Sequence, residues 1–471
     1  MPFFKPLPSI LTLVAVLSAA TLATPAAQAQ NRGDDTFLDM HQAFRKNDRN
    51  RLSALLPQVQ GHTLEPLAAY WELRVRLDTA SETEILAFLS KYAGSYYEDR
   101  LRNDWLLQLG KRRDWPMVAA QHRSYRMKDD KEVSCYALAA DAILGKMDVA
   151  AEAKRLWYAQ RDADDGCTYL ADHLHSGRKI NGLDLWRKAR IAMDANKPKA
   201  AKDAVDIEAP RLSEQVTLIF NDPAKYLDKR ILAITKSRKE LAVLALIRLA
   251  ASDPDKAATL LDKRWGLMLT PEERHWTWAV IGKQAAQKLQ DNASSYFAKV
   301  HKDSDLNDDL LAWKIRAALR MGQWSQVLSA TEALSADSRN DSAWVYWRAR
   351  ALAATATGDV QKQEAQQLLR GIASVRGFYE QLALEELGQS ITVPERPAAL
   401  TPQEKAYAQV NPGLQRALHA ISIGLRAEGN REWNYSTNLH TPGGMNDREL
   451  LAAADLACQR QVWRSEEHTS E

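Results

Sequence analysis

Residues 311–334 read LAWKIRAALRMGQWSQVLSATEAL, with an apolar-rich segment on either side of Gly322. The pattern predicts one helix before the glycine and one after it, because glycine readily ends a helix. Gly358 follows Gly322 by 36 residues, and Gly110 and Gly145 lie 35 residues apart. A helix–turn–helix unit of about 34 residues is typical of tetratricopeptide-like solenoids. The spacing therefore predicts an array of helix hairpins.

Capping residues mark other helix starts. Thr270 and Thr401 are each followed by proline and, three residues on, by glutamate, which is the pattern of a capping box. Ser81 and Asp253 open two further candidate helices. Residues 241–250 are apolar on nearly every face and predict a buried inner helix. We find no alternating strand pattern of useful length, so the predicted fold is all-α.

The composition agrees with a helical, folded protein and argues against one class of partner, nucleic acids. The 471 residues include only 20 glycines and 17 prolines, which favours helices over an all-β fold rich in tight turns. A hydrophobic fraction of 45% excludes global disorder. The net charge of +3 lacks the basic excess of a nucleic-acid-coating protein. We expect no nucleic-acid partner.

The N-terminus has the pattern of a secretory signal peptide. Lys5 precedes an apolar run over 10–20, and the small-residue sequence Ala27-Gln28-Ala29 is a candidate cleavage site. We assign 1–29 to a signal peptide, with an uncleaved anchor as the alternative. No later apolar run approaches the ~20 residues of a membrane span. We therefore expect an exported protein without a stable membrane anchor.

The last eight residues, 464–471, match the translation of a common sequencing-adapter sequence. A natural polar tail is the alternative interpretation. Residues translated from an adapter carry no information about the fold. We expect the native residues to end at about Trp463 and the gene to continue beyond them.

Three prolines fall within nine residues of the segment 392–402. Proline fixes φ and removes a backbone donor, so a helix array must break there. We place a domain boundary at about 390–401. The predicted domains are an α-superhelix over 30–390 and a small helical domain over 391–463.

Cys135 and Cys167 lie 32 residues apart, at opposite ends of one predicted helix hairpin. Since an exported protein meets an oxidising compartment, we predict a disulfide between them, with two free buried thiols as the alternative. The bridge would stabilise the chain by roughly 3–4 kcal/mol in the chain-entropy model. Cys458 has no evident partner.

A search for catalytic and metal-binding motifs finds none, and we predict no cofactor. His173 and His175 are two residues apart and diverge on a helix, so we predict no shared metal. The tryptophans could stack on sugar rings, but core packing at helix contacts is the more usual role. Those considered are Trp71, Trp105, Trp157, Trp186, Trp313, Trp344 and Trp347.

The chain resembles the soluble lytic transglycosylases of the Gram-negative periplasm, from about Phe37 to Trp463. The most specific motifs behind this resemblance are Trp-Val-Tyr-Trp at 344–347 and Arg-Gly-Phe-Tyr at 376–379. The resemblance also rests on the segment 62–74, Arg113-Asp114-Trp115, Cys135-Tyr136 and Cys167.

The resemblance implies a U-shaped, ring-like α-superhelix, a small helical linker domain and a lysozyme-like catalytic domain. In the family, one glutamate acts as acid and then base, and it releases a 1,6-anhydro sugar from the MurNAc–GlcNAc bond. The implied partner is the peptidoglycan glycan strand, and we expect a periplasmic monomer. The alternative function is a non-catalytic periplasmic scaffold that binds protein partners.

The chain departs from the family at its catalytic signature. It contains neither the family's Glu-Ser dipeptide nor its Ala-Tyr-Asn-Ala-Gly sequence. The segment 266–271 begins Gly-Leu-Met but lacks the following glutamine, and we interpret it as a helix end before the capped start at Thr270. We expect the catalytic domain to follow Trp463, and we predict no catalytic residue within the chain.

Overall fold

A computed structural model of the chain describes residues 25–145, 148–228, 235–437 and 444–462. Within these ranges the chain forms helices joined by turns and loops, and it contains no strand. The predicted all-α fold is confirmed. The apolar run of the predicted signal peptide and the adapter-like tail lie outside the described residues. No helix in the described ranges is long and apolar enough to cross a membrane.

The chain divides into two compact units. Unit 1 contains the described residues up to Asp130 together with those from Ala399 onward, and unit 2 contains Lys131–Ala398. Unit 1 begins with helices α1 Pro25–Arg45, α2 Arg49–Leu55, α3 Glu65–Val75, α4 Glu82–Lys91, α5 Tyr96–Lys111 and α6 Trp115–His122, with a 3₁₀ turn at Leu56–Val59.

Unit 2 is a succession of short helices, most of which pack against their neighbours in the chain. They are α7 Lys131–Ile143, α8 Ala150–Ala159, α9 Asp165–Ser176, α10 Gly182–Asp194, α11 Pro198–Glu208, α12 Ser213–Asn221, α13 Pro223–Asp228, α14 Lys236–Ser252, α15 Pro254–Leu260, α16 Pro271–Gln287, α17 Ala293–Phe297, α18 Asp308–Arg320, α19 Trp324–Ala333, α20 Ala336–Arg339, α21 Ser342–Thr355, α22 Asp359–Ile372 and α23 Phe378–Glu386. Short 3₁₀ turns occur at Pro210–Leu212 and Asp303–Asp305, and a π-helical turn at Leu261–Trp265.

The C-terminal part of unit 1 has helices α24 Pro402–Val410, α25 Pro412–Ser422, α26 Arg426–Ser436 and α27 Asp447–Gln459. A small core of leucines and alanines holds these helices together, with Leu414 and Leu418 almost fully buried. The chain forms no helix between Glu386 and Pro402, where the proline-rich segment lies. The division between the units falls inside this segment, at Ala398.

The capped helix starts are found where the sequence predicts them. Thr270 and Thr401 each accept a hydrogen bond from the backbone N–H three residues on, and each forms a full capping box. Ser81 and Asp253 also act as N-caps. The turn before Thr270 confirms that the segment 266–271 is a helix end followed by a capped start.

Helix α14 is the inner helix that its apolar sequence predicts. Its residues from Leu241 to Ile247 are at most 1% exposed. Arg248 is the polar exception within the segment 241–250, and its guanidinium donates to the Phe220 carbonyl at 3.1 Å while lying over the Phe220 ring. The one arginine on this stretch of the helix is therefore satisfied without opening the core.

A network of ion pairs around the buried Arg190 joins three helices of unit 2. Arg190 on α10 and Glu240 on α14 are both fully buried, with Nη2 and Oε1 2.7 Å apart. Arg190 also contacts Glu272 on α16 at 3.0 Å, and Lys236 contacts Glu240 at 2.7 Å. Because each charge is paired, the network fixes the positions of these helices at a tolerable desolvation cost.

The two most specific motifs of the sequence pack on each other within unit 2. Tyr346 of α21 lies 5.7 Å from Tyr379 of α23 between ring centroids, and Trp347 lies 6.5 Å from the same ring. The other buried residues of this small cluster are Ala349, Leu369 and Ala383. The spacing between the motifs therefore reflects a helix contact.

Candidate functional site

Unit 1 contains an open groove of about 670 Å³ between helices α1, α3 and α5 on one side and α26 on the other. We call it the aromatic groove. Its aromatic lining is Phe44, Tyr70, Trp71, Tyr96, Tyr97 and Tyr435. Its polar lining is Asn47, Arg74, Arg100, Asp129, Glu428, Arg431 and Asn434.

Helix α3 supplies one wall, with Tyr70 and Trp71 as successive residues. Trp71 is 1% exposed and packs against Phe37 and Phe44, at centroid distances of 5.1 and 5.6 Å. The hydroxyl of Tyr70 donates to Asp104 at 2.8 Å. Burial, with a further contribution from Asp104, raises the pKa of Tyr70, so this phenol stays a neutral donor. This wall is thus rigid and apolar beneath a polar rim.

Asp104 also orders the arginines of the rim. Its carboxylate lies 2.9 Å from Arg74 and 3.6 Å from Arg100, while its own side chain is only 3% exposed. Arg74 is exposed and Arg100 half-buried, and both side chains line the groove. A buried carboxylate that holds two guanidinium groups presents them in a fixed geometry for an incoming acceptor.

The opposite wall comes from helix α26. The rings of Tyr435 and Tyr96 meet edge to face at 5.7 Å, and the guanidinium of Arg126 lies 5.4 Å above Tyr435. The Tyr435 hydroxyl is buried and makes no hydrogen bond within the described residues. Arg431 and Glu428 add one positive and one negative group to this wall.

The groove has the chemistry of a binding surface for a polar ring compound. The half-buried rings of Phe44, Tyr96 and Tyr435 can stack on apolar ring surfaces, while arginine and carboxylate groups bind hydroxyl, amide or carboxylate groups at the ring edge. Its lining contains no nucleophile paired with a general base among the described residues. The residues therefore favour binding over bond cleavage.

One buried glutamate with a raised pKa lies close to the groove but does not line it. Burial raises the pKa of Glu432 to about 6, while Arg416 acts in the opposite direction. The Arg416 guanidinium lies 2.6 Å from Oε1. Because Glu432 is fully buried, a substrate cannot reach it, and we assign it no catalytic role.

The structure joins Cys135 of α7 and Cys167 of α9 in a disulfide, with their Cα atoms 4.9 Å apart. Both residues are buried, and Cys458 is free and exposed. His173 stacks on Tyr169, whereas His175 faces Glu208 at 3.3 Å. The two histidines thus have separate partners.

The tryptophans considered as sugar-stacking residues divide into two groups. Trp71, Trp105, Trp157 and Trp186 are at most 5% exposed and act as core residues. The half-buried group is Trp313, Trp344 and Trp347. Trp71 alone among them lines the aromatic groove, whose other rings come from tyrosines and a phenylalanine.

Sequence reasoning missed both the tyrosine-rich groove and a second cluster in unit 1, which contains Asp34, His62 and His419. His62 follows Asp34 by 28 residues, and His419 follows it by 385. No local spacing in the sequence signals such a cluster. Only an expectation that a residue of α25 contacts α1 could have found it.

No family model matches the chain. A soluble lytic murein transglycosylase of Salmonella typhimurium is 21% identical over 409 residues, which cover 85% of this chain and 61% of the relative. The counterpart from Escherichia coli K12 is 18% identical over 390 residues, covering 80% of this chain and 58% of the relative. The chain thus spans about three-fifths of the length of these curated relatives.

Solved structures have the same fold. A lytic transglycosylase from Pseudomonas aeruginosa, solved as an inactive mutant, superposes with a TM-score of 0.56 at 24% identity, covering 91% of this chain and 69% of that one. The 70-kDa soluble lytic transglycosylase of Escherichia coli gives a TM-score of 0.50 at 16% identity, covering 92% and 69%. The fold is therefore the all-α superhelical fold of lytic transglycosylases. The chain is similar to the soluble lytic murein transglycosylases over most of its length, in agreement with the resemblance found in its sequence.

Proposed function

We propose that this chain is the glycan-guiding part of a peptidoglycan lytic transglycosylase, which cleaves the MurNAc–GlcNAc bond and leaves a 1,6-anhydro product. The observation that carries the proposal is the relationship to soluble lytic murein transglycosylases over 85% of the chain. The aromatic groove supports it, because stacking rings beside fixed arginines suit a strand of N-acetylated sugars with acidic substituents.

The catalytic glutamate belongs, in this proposal, to a domain encoded after Trp463. The chain contains no Glu-Ser dipeptide, and it covers 61% of the Salmonella relative. Residues 1–29 direct export, and the protein acts in the periplasm as a monomer. The purified chain should release no 1,6-anhydro-muropeptides from sacculi above a buffer control, whereas a longer product of the same gene should release them.

Binding to purified sacculi tests the guiding role directly. We expect the chain to sediment with sacculi and Tyr96→Ala and Tyr435→Ala each to weaken this binding by roughly tenfold, since loss of one stacked ring removes about 1–1.5 kcal/mol. Tyr407→Ala is the matched control, because Tyr407 is 53% exposed on α24 and does not line the groove. Equal loss in all three variants would contradict a groove-specific site.

The scaffold alternative makes a different prediction for the same experiment. A scaffold would bind protein partners and would not sediment with protein-free sacculi. Failure of the wild-type chain to bind sacculi would therefore reject the guiding role in favour of that alternative.

A further inference from the structure

The Asp34, His62 and His419 cluster brings together three separate elements of unit 1. Asp34 lies on α1, His62 in the loop before α3, and His419 on α25. Asp34 Oδ1 is 3.0 Å from His62 Nε2 and 2.8 Å from His419 Nε2. The three ligand atoms all lie within 4.8 Å of one another.

We propose that Asp34, His62 and His419 bind one Zn²⁺ ion that links helix α1 of the N-terminal segment of unit 1 to helix α25 of its C-terminal segment. Two imidazole nitrogens and one carboxylate oxygen form a donor set that suits Zn²⁺ and disfavours Ca²⁺ and Mg²⁺, which prefer oxygen ligands. Three protein ligands leave a fourth position of the tetrahedron to water.

The two distances from Asp34 to the histidines suit such an ion after a small adjustment. Zinc ligands at about 2.0–2.2 Å from a tetrahedral metal lie roughly 3.3 Å from one another. The observed separations of 3.0 and 2.8 Å are slightly shorter, as expected where Nε2–H groups donate to the carboxylate. The ion takes the place of those two protons, and each proton moves to Nδ1 of its own ring. The two Asp34–histidine distances then lengthen by a few tenths of an ångström, and the two Nε2 atoms, which lie within 4.8 Å of each other, adopt the spacing of tetrahedral ligands.

The surroundings of the three residues favour a defined metal site over nonspecific binding at the surface. The side chains of His62 and His419 are 10% and 14% exposed, and that of Asp34 is 22% exposed. Phe37 stacks on the His62 ring at 5.3 Å. The imidazoles are thus held in place by packing, while the partly exposed carboxylate leaves a path for the ion to enter.

One hydrogen bond must change when the ion binds. The backbone N–H of Leu64 donates to Nδ1 of His62 at 3.1 Å, which places the proton of the neutral ring on Nε2. Binding at Nε2 moves that proton to Nδ1, so the ring must turn away from the Leu64 N–H. The proposal therefore predicts a change at Leu64 as well as at the ligands.

The consequence is structural. His419 follows Asp34 by 385 residues, so the ion would hold together two distant chain segments whose contacts form unit 1. An ion that binds only this folded arrangement raises stability by mass action. Zinc should then protect α1 and α25 together.

The test uses the full chain without a histidine tag, after treatment with a chelator and titration with ZnCl₂. We expect one zinc per chain, a rise in melting temperature and slower amide hydrogen exchange in both α1 and α25. His419→Ala should weaken binding at least tenfold and abolish the rise in melting temperature. His173→Ala is the control, since it removes an exposed imidazole of unit 2.

Asp34→Asn keeps the shape of the side chain and replaces the carboxylate by an amide. This variant tests the zinc site if His419→Ala does not fold. Zinc binding of unchanged strength in Asp34→Asn or His419→Ala would overturn the proposal. So would a wild-type chain that binds less than one zinc at tens of micromolar, or zinc protection confined to one of the two helices.

Discussion

Unit 1 and unit 2 are built from helices of the same kind, yet they differ in how far apart in sequence their partners lie. In unit 2 the disulfide joins residues 32 apart, and the buried Arg190–Glu240 pair spans 50. In unit 1 His419 meets Asp34 across 385 residues, and Tyr435 of α26 meets Tyr96 of α5.

Unit 2 is an array built from one continuous segment, whereas unit 1 is assembled from two segments that lie far apart in the sequence. Contacts between neighbouring hairpins close short loops, so unit 2 can form stepwise. Unit 1 must bring two distant segments together, and it obtains by that contact a groove that neither segment has alone. We therefore expect stabilising interactions in unit 2 and binding sites in unit 1.

The largest expected effect concerns the buried ion pair of unit 2. Arg190→Ala should lower the free energy of unfolding of unit 2 by about 3–5 kcal/mol, because it leaves Glu240 buried without its main partner. Chemical denaturation with a probe in unit 2 measures the loss.

The control is Arg155→Ala, which removes the Arg155–Glu152 pair, whose side chains are 59% and 47% exposed. An exposed pair contributes about 0–1 kcal/mol, so this variant should unfold almost like the wild type. Similar losses in the two variants would mean that burial of Arg190 does not decide its contribution.

The disulfide should give the next effect. Replacing both Cys135 and Cys167 by alanine should lower the free energy of unfolding by roughly 3–4 kcal/mol, since the bridge limits the entropy of the unfolded chain. Cys458→Ala, at an exposed free thiol, should change little.

Mass spectrometry of periplasmic material under non-reducing conditions should find the peptides of Cys135 and Cys167 linked. Two free thiols in that material would remove the basis of this prediction, whatever the stability of the double variant.

The smallest expected effect is a pH dependence in unit 1. Burial raises the pKa of Glu432 from its ordinary 4.5 to about 6, so the folded state holds the proton more tightly than the unfolded state. Its contribution to stability is present below pH 4.5 and is lost as the pH rises through 6. A shift of this size corresponds to roughly 2 kcal/mol.

Glu432→Gln should flatten the decline in unfolding free energy between about pH 4.5 and 6.5 relative to the wild type. Unfolding by urea at several pH values, followed in unit 1, measures the difference. Glu385→Gln changes an exposed residue of unit 2 and should leave the wild-type curve unchanged. Parallel curves for Glu432→Gln and the wild type would show that Glu432 does not titrate in this range.

Local sequence determined where the helices begin and end. Thr270 and Thr401 cap helices because their side chains bond to N–H groups only three residues away. The apolar run of α14 predicted its burial, since any fold must remove that surface from water. The break before Pro402 follows from proline itself.

Tertiary structure alone decided which helices meet. The aromatic groove needs Tyr96 and Tyr435, and the proposed zinc site needs Asp34 and His419, yet neither pair has a spacing that local geometry can recognise. Caps and burial patterns can be predicted from sequence because they act within a few residues. The pairing of α1 with α25 and of α5 with α26 depends on packing summed over the folded unit, and the sites arise there.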